Sequence, residues 1–119
     1  MSRLIVKCTS GLESPERANQ ALNVSATAVA AGVDVSLWLT GEASWFGAPG
    51  GAEQLQLEHA APAQDLVAAV LAVGTVTVCT QCAARRGLTE DDLIPGVRIA
   101  GAAAFVEEVM APDARALVY

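Results

Sequence analysis

Apolar and polar residues along the chain are arranged in short segments that predict five β-strands separated by helices. The predicted strands are short and rich in β-branched residues, and they cover residues 3–8, 33–39, 75–79, 97–100 and 114–119. The longer predicted helices carry apolar residues on one side and cover residues 15–31, 62–73 and 102–110. Strands that alternate with helices in this way are typical of a parallel sheet.

Local signals mark where several helices begin and end. Ser14 and Pro15 precede an acidic residue, so the pattern predicts a helix whose first turn is capped by the serine side chain and which ends at Gly32. Thr89 followed by three acidic residues predicts a capping box with Asp92. The arginine-rich stretch 83–87 is expected to form a further short helix that stops at Gly87.

Residues 40–62 are the least regular part of the sequence. They contain several glycines and prolines, so we expect a long loop with one helical turn at residues 42–46. Trp45 and Phe46 lie in that turn, where they would cover a site, contact another subunit or anchor the loop to the core.

These elements predict a single α/β domain over residues 1–119, built as a flavodoxin-like three-layer sandwich. The third strand, residues 75–79, lacks alternation, which favours a central position buried on both faces. With right-handed crossovers and one reversal of strand order, the expected order of the strands is 2-1-3-4-5.

Composition and charge narrow the classes of function. A net charge of −6 and a pI near 4.5 argue against nucleic acid or an anionic membrane as the main partner. No apolar run reaches the length of a membrane span, and nothing at the N-terminus resembles a signal peptide. With three cysteines, an odd number, we expect a cytoplasmic protein whose thiols are free.

The strongest chemical signal is the pair of thiols Cys79 and Cys82, which are separated by two residues. Cys79 ends the third predicted strand, and the start of a helix there favours a thiolate. Four interpretations follow: a thiol–disulfide couple, a persulfide carrier, a zinc site, or two cysteines without a role. A structural zinc site needs four ligands, which only Cys8 and His59 could complete.

Three other residues are candidates for a supporting role. With the expected strand order, Cys8 at the end of strand one would lie beside Cys79; alternatively, it is a small buried residue. Arg86 would stabilise an anionic sulfur or simply solvate a helix end. His59 would act as a proton shuttle or lie at the surface.

The chain resembles the DsrE/DsrF-like family, which includes the TusD-type sulfur-relay subunits. The resemblance is clearest at residues 76–87, where Cys79 is followed by a turn of small residues and then by Arg86 and Gly87. The stretches 92–97 and 116–119 are also similar to the family. The resemblance implies a flavodoxin-like fold, homotrimers or homohexamers (or heterohexamers with sister subunits), and a persulfide on Cys79. The second thiol, Cys82, departs from the family pattern.

We therefore predict a sulfur carrier that holds a persulfide on Cys79 and exchanges sulfur with donor or acceptor proteins. The second thiol leaves open whether the same site relays sulfur or cycles through a Cys79–Cys82 disulfide. The alternatives are a non-catalytic subunit that binds a small ligand or a partner, and a zinc-binding structural site. No cofactor is expected, and any enzymatic activity would be of the sulfurtransferase or thiol-redox type.

Overall fold

The computed structural model describes residues 2–119 and contains a five-stranded sheet in which every pairing is parallel. The strands are β1 (Arg3–Cys8), β2 (Asp34–Leu39), β3 (Thr75–Cys79), β4 (Arg98–Ala100) and β5 (Ala114–Val118). The helices are α1 (Pro15–Ala30), α2 (Ala63–Val73), α3 (Thr80–Arg85) and α4 (Ala102–Val109). The predicted α/β architecture and all five strands are confirmed.

The predicted strand order is wrong, because the sheet runs 4-3-2-1-5 rather than 2-1-3-4-5. The connections from β1 to β2, from β2 to β3 and from β3 to β4 each place the next strand on the same side of the previous one. Only β5 lies on the other side of β1. The strand in the middle is therefore β2, whose residues Val35 to Leu39 are all buried. An edge position, which the predicted order gave to β2, would leave this run of buried residues partly uncovered.

One face of the sheet carries the hydrophobic core. Helices α1 and α2 pack together on this face, against β1, β2 and β3. The buried side of α1 includes the small residues Ala18 and Ala21, so the helix approaches the sheet closely. Side chains such as Leu22, Val67 and Leu37 are almost completely excluded from water and fill the space between the layers.

The opposite face is covered by α4 alone and is much more polar. Glu108 of α4 lies at the centre of this face, where its carboxylate accepts a hydrogen bond from Trp38 Nε1 at 3.3 Å. The same carboxylate is paired with Arg98 of β4 and, at 3.6 Å, with Arg3 of β1. Trp38 also packs edge-to-face against Phe105 of α4, with ring centroids 5.3 Å apart. Polar and aromatic contacts thus hold α4 to the sheet.

The local signals at the helix ends are confirmed in part. Gly32 ends α1 with a φ of +85°, and Thr89 and Asp92 form the predicted capping box around a short 3-10 helix (Glu90–Asp92). The prediction that the Ser14 side chain caps α1 is wrong, because this side chain makes no capping hydrogen bond. The Ser14 carbonyl instead accepts the first backbone hydrogen bond, from Ala18 N at 3.0 Å, while Pro15 occupies the first turn.

Residues 40–62 are more ordered than the sequence suggested. They form two 3-10 helices, Gly41–Gly47 and Ala52–Gln54, of which the first contains the predicted helical turn. Phe46 is buried in the core, so it anchors the segment, whereas Trp45 is 40% exposed. The first 3-10 helix follows β2 directly and therefore lies at the carboxyl end of the sheet.

Replacing Glu108 with alanine is expected to weaken the attachment of α4. The substitution leaves the Trp38 N–H and two partly buried arginines without their carboxylate, which costs about 1–3 kcal/mol in the free energy of unfolding. Chemical denaturation measures this cost. Glu107→Ala, on an exposed neighbouring residue of the same helix, is the control and should change the free energy by less than about 0.5 kcal/mol.

The contribution of Glu108 should also depend on pH. Burial acts to raise the pKa of Glu108, but hydrogen bonds, including those from Trp38 and Arg98, and the charge of Arg3 lower it below its ordinary value of 4.5. A depressed carboxyl pKa stabilises the fold above the unfolded-state pKa and loses that effect as the pH falls. The stability difference between wild type and Glu108→Ala should therefore shrink below about pH 4.5, and a difference that grows with acidity would contradict this account.

Candidate functional site

The candidate site lies where β3 passes into α3. Cys79 is the last residue of the strand and has an extended backbone (φ −63°, ψ 134°), and the next residue begins the helix. Cys82 follows within the first turn of α3, so both thiols lie at the carboxyl end of the sheet. Both are free and half-buried. An accessible thiol at such a junction can act as a nucleophile.

The surroundings of Cys79 favour its thiolate. Partial burial acts to raise the pKa of Cys79, but hydrogen bonds from the backbone N–H groups of Cys82 and Gln81 oppose it. The Cys82 thiol and the positive charge of Lys7 act in the same direction, and the net effect is a pKa below the ordinary value. Because the thiolate is the reactive form of cysteine, these contacts activate Cys79 as a nucleophile.

Cys82 is held by the end of the neighbouring strand. The backbone N–H of Gly41 donates a hydrogen bond to Cys82 Sγ at 3.2 Å. Gly41 has a φ of +54°, and a Cβ at this position would lie 2.8 Å from the carbonyl oxygen of Thr9. A side chain is therefore excluded here, so the first residue of the 3-10 helix that follows β2 must be glycine to bring this N–H to the thiol.

Arg86 links α3 to the first 3-10 helix. Its Nε and Nη2 atoms donate to Glu42 Oε2 at 3.0 and 2.8 Å, and its Nη1 donates to the Cys82 carbonyl at 3.1 Å. All three contacts are with oxygen atoms. In this arrangement the guanidinium positions Gly41, which precedes Glu42, against Cys82.

Cys8 lies on the other side of the sheet. It pairs with Leu39 of β2, which in turn pairs with Val78 of β3, so Cys8 faces the core under α1 and α2. Cys79 is the next residue after Val78 and faces the α4 side. The predicted adjacency of β1 and β3 is wrong because β2 lies between them. Cys8 is fully buried, and burial raises its pKa to about 11.

His59 lies in an exposed turn ahead of α2, with a φ of +61°. Across residues 2–119, no group of three or more His, Cys, Asp or Glu side chains is arranged to hold a metal ion. The zinc interpretation therefore finds no support in the geometry of Cys8, Cys79, Cys82 and His59.

A sequence profile of the DsrE/DsrF-like family matches residues 2–114. The chain belongs to the DsrE/DsrF-like family. The family is associated with sulfur relay. No curated protein sequence matches this family member significantly.

Two solved structures share the fold of this DsrE/DsrF-like protein over the full length of both chains. The ychN protein from E. coli superposes with a TM-score of 0.82 at 19% identity. MTH1491, a protein of unknown function from Methanobacterium thermoautotrophicum, superposes with a TM-score of 0.74 at 11% identity. At such low identity the likeness concerns the fold alone.

Gly41 and Lys7 of this DsrE/DsrF-like chain contribute to the surroundings of the thiols but were not predicted from the sequence. Gly41 was assigned only to an irregular loop, although a glycine two residues after a predicted strand could have indicated a close backbone approach. Lys7 was overlooked because its position relative to Cys79 follows from the strand order. Once β2 is known to separate their strands, Lys7 and Cys79 fall on the same face of the sheet.

An open cavity of about 490 Å³ lies against the first 3-10 helix of this family member. Leu12, Trp45 and Phe46 form its apolar walls, and Glu42, the partner of Arg86, lies at its edge. The ion pair between Glu42 and Arg86 therefore joins the edge of the cavity to the C-terminal end of α3.

Within the part of the chain that the structure describes, no helix is both long and apolar enough to cross a membrane.

Cys79 and Cys8 are expected to differ strongly in reactivity. In the reduced, folded protein, iodoacetamide should modify Cys79 rapidly at neutral pH and leave Cys8 unmodified, because Cys8 is buried and its pKa is about 11. Peptide mass spectrometry over a time course measures both rates.

Replacing Cys82 with alanine should raise the pKa of Cys79, because it removes a side-chain hydrogen bond that favours the thiolate. The pH dependence of alkylation at Cys79 measures the change. The matched control is Gln81→Ala, which keeps the backbone N–H that contacts Cys79. A Cys79 titration that is identical in Cys82→Ala and wild type would rule out this contribution.

Proposed function

We propose that this protein is a sulfur carrier that holds a persulfide on Cys79. The observation that carries the proposal is a half-buried thiol at a strand-to-helix junction whose pKa is lowered by backbone N–H groups and a second thiol. A persulfide carrier needs one nucleophilic thiolate that is accessible to a donor and an acceptor. Membership of a family associated with sulfur relay supports the same conclusion.

Sulfur is loaded when the Cys79 thiolate attacks the outer sulfur of a donor persulfide. A new S–S bond forms at Cys79, the S–S bond of the donor breaks, and the donor leaves as a thiolate. Delivery is the reverse exchange, in which an acceptor thiolate attacks the outer sulfur and Cys79 departs as a thiolate. No electrons are gained or lost overall. The hydrogen bonds from Gln81 and Cys82 that lower the pKa of Cys79 also make it a better leaving group.

Cys82 makes a second reaction of the Cys79 persulfide possible. Attack of the Cys82 thiolate on Cys79 Sγ forms a Cys79–Cys82 disulfide and releases hydrosulfide, so the two cysteines lose the electrons that the released sulfur gains. This reaction competes with delivery to an acceptor. The Gly41 N–H that binds Cys82 Sγ, together with the Arg86–Glu42 pair behind it, orients Cys82 and so influences which reaction prevails.

The carrier is expected to act as a homotrimer or homohexamer in the cytoplasm, with donor and acceptor proteins as transient partners. Exposed apolar residues on α4, at its C-cap and on β5 support self-association: Val106, Met110, Leu117 and Val118. Light scattering at micromolar concentration measures the mass, and a monomer would contradict this part of the proposal.

A second candidate function is a subunit that binds a small ligand without performing sulfur chemistry. It is favoured by the open cavity of about 490 Å³, which has the exposed Trp45 as one wall and a size typical of ligand pockets. Under this alternative the thiols have no chemical role, and the cavity is linked to α3 through Glu42, the partner of Arg86.

Incubation with a low-molecular-weight persulfide donor, followed by mass spectrometry, separates the two functions. Wild type and Cys82→Ser should gain the mass of one sulfur atom on Cys79, and Cys79→Ser should gain none. Wild type is expected to lose the added sulfur faster than Cys82→Ser, because only wild type can form the Cys79–Cys82 disulfide. Failure of wild-type Cys79 to accept sulfur, despite full reduction, would refute the carrier function.

A further inference from the structure

Lys7 is placed on the same face of the sheet as Cys79 by the pairing of three strands. Lys7 of β1 pairs with Trp38 of β2, and Trp38 pairs with Thr77 of β3. Paired residues in a parallel sheet share a face, and alternate residues along a strand return to it. Cys79 is two residues beyond Thr77, so its thiol and the Lys7 amine both belong to the face that α4 covers.

An aromatic ring fixes the position of the Lys7 side chain. The Nζ atom lies 4.5 Å from the centroid of Phe105, within the range of a cation–π interaction. Phe105 is itself held edge-on against Trp38, the neighbour of Lys7 in the sheet. The amine is therefore held over α4 and does not extend freely into solvent.

Lys7 also differs from the other cations on this face. Arg3 and Arg98 both pair with the carboxylate of Glu108, and Arg3 also pairs with Asp34. Lys7 forms no ion pair within residues 2–119. Among the cations of the described residues on this face, Lys7 is thus the one without a carboxylate partner. It lies near the carboxyl end of β1, the same end of the sheet as Cys79.

We propose that Lys7 is a positioning residue for anionic sulfur at Cys79, and that it makes the site favour negatively charged sulfur donors over neutral ones. This refines the proposed function, since it concerns the donor class of the same thiol. A positive charge held near the sulfur attracts an incoming anion and stabilises the negative charge of the thiolate or persulfide. In agreement, the charge of Lys7 acts to lower the pKa of Cys79, as does the thiol of Cys82 of α3, the other titratable side chain that acts on it.

Two alkylating reagents test the charge preference without any sulfur loading. Iodoacetate is an anion and iodoacetamide is neutral, so the ratio of their rates at Cys79 reports the local electrostatic field. Peptide mass spectrometry of the reduced protein gives both rates for Cys79 separately from Cys82. In Lys7→Met, which keeps an unbranched apolar chain, the iodoacetate-to-iodoacetamide ratio should fall about fivefold relative to wild type.

Three variants distinguish a local charge effect from a structural one. Lys7→Arg should restore most of the wild-type ratio, because it retains the cation. Arg17→Met removes the same charge from an exposed position on α1, on the opposite face, and should leave the ratio unchanged. Phe105→Leu should lower the ratio by less than Lys7→Met, since it removes the ring that holds the amine.

An equal ratio in wild type and Lys7→Met would overturn the inference. If Lys7→Met does not fold, the salt dependence of wild type decides: raising the ionic strength should lower the iodoacetate ratio, and a ratio insensitive to salt would refute the role of Lys7. A changed ratio together with no sulfur uptake would refute only the carrier function. Sulfur uptake with an unchanged ratio would refute only the role of Lys7.

Discussion

The central position of β2 is the constraint on which the rest of the structure depends. Its backbone pairs with β1 on one side and β3 on the other, and its end contacts both neighbours. Thr40 donates its N–H to the Cys8 carbonyl at 2.9 Å, and the next residue, Gly41, donates to Cys82 Sγ. The strand that completes the core therefore also sets the position of one thiol of the candidate site.

Because of this arrangement, the two faces of the sheet differ in polarity, in packing and in the thiol that each carries. The face under α1 and α2 is apolar and closely packed, and it buries Cys8 where its thiol is inert. The face under α4 is held by the Glu108 network and by aromatic contacts, so it tolerates charge. Cys79 belongs to this second face, where Lys7 and backbone N–H groups can stabilise an anionic sulfur. The fold is shared with proteins of 19% and 11% identity, so function must be argued from these side chains.

The site of the thiols could be located from the sequence, whereas their neighbours could not. The buried, β-branched run before Cys79 and the glycine stop at Gly87 are local signals, and the strand formed where it was predicted, whereas the helix begins at Thr80 and includes Cys82 instead of following it. The contacts of Gly41, Glu42 and Lys7 with the site cross between segments that are distant in the chain. Their pairing depends on strand order, which the pattern of single strands does not encode.

The sequence alone determined the number and type of strands, the parallel α/β class and the junction that carries Cys79. These features follow from hydrophobic periodicity and from glycine, proline and capping residues, all of which act over a few neighbouring positions. Only the tertiary structure decided that Cys8 is separated from Cys79 and that Lys7 shares its face. The physical reason is that side chains alternate between faces with every residue, so which residues meet depends on which strands pair and in what register.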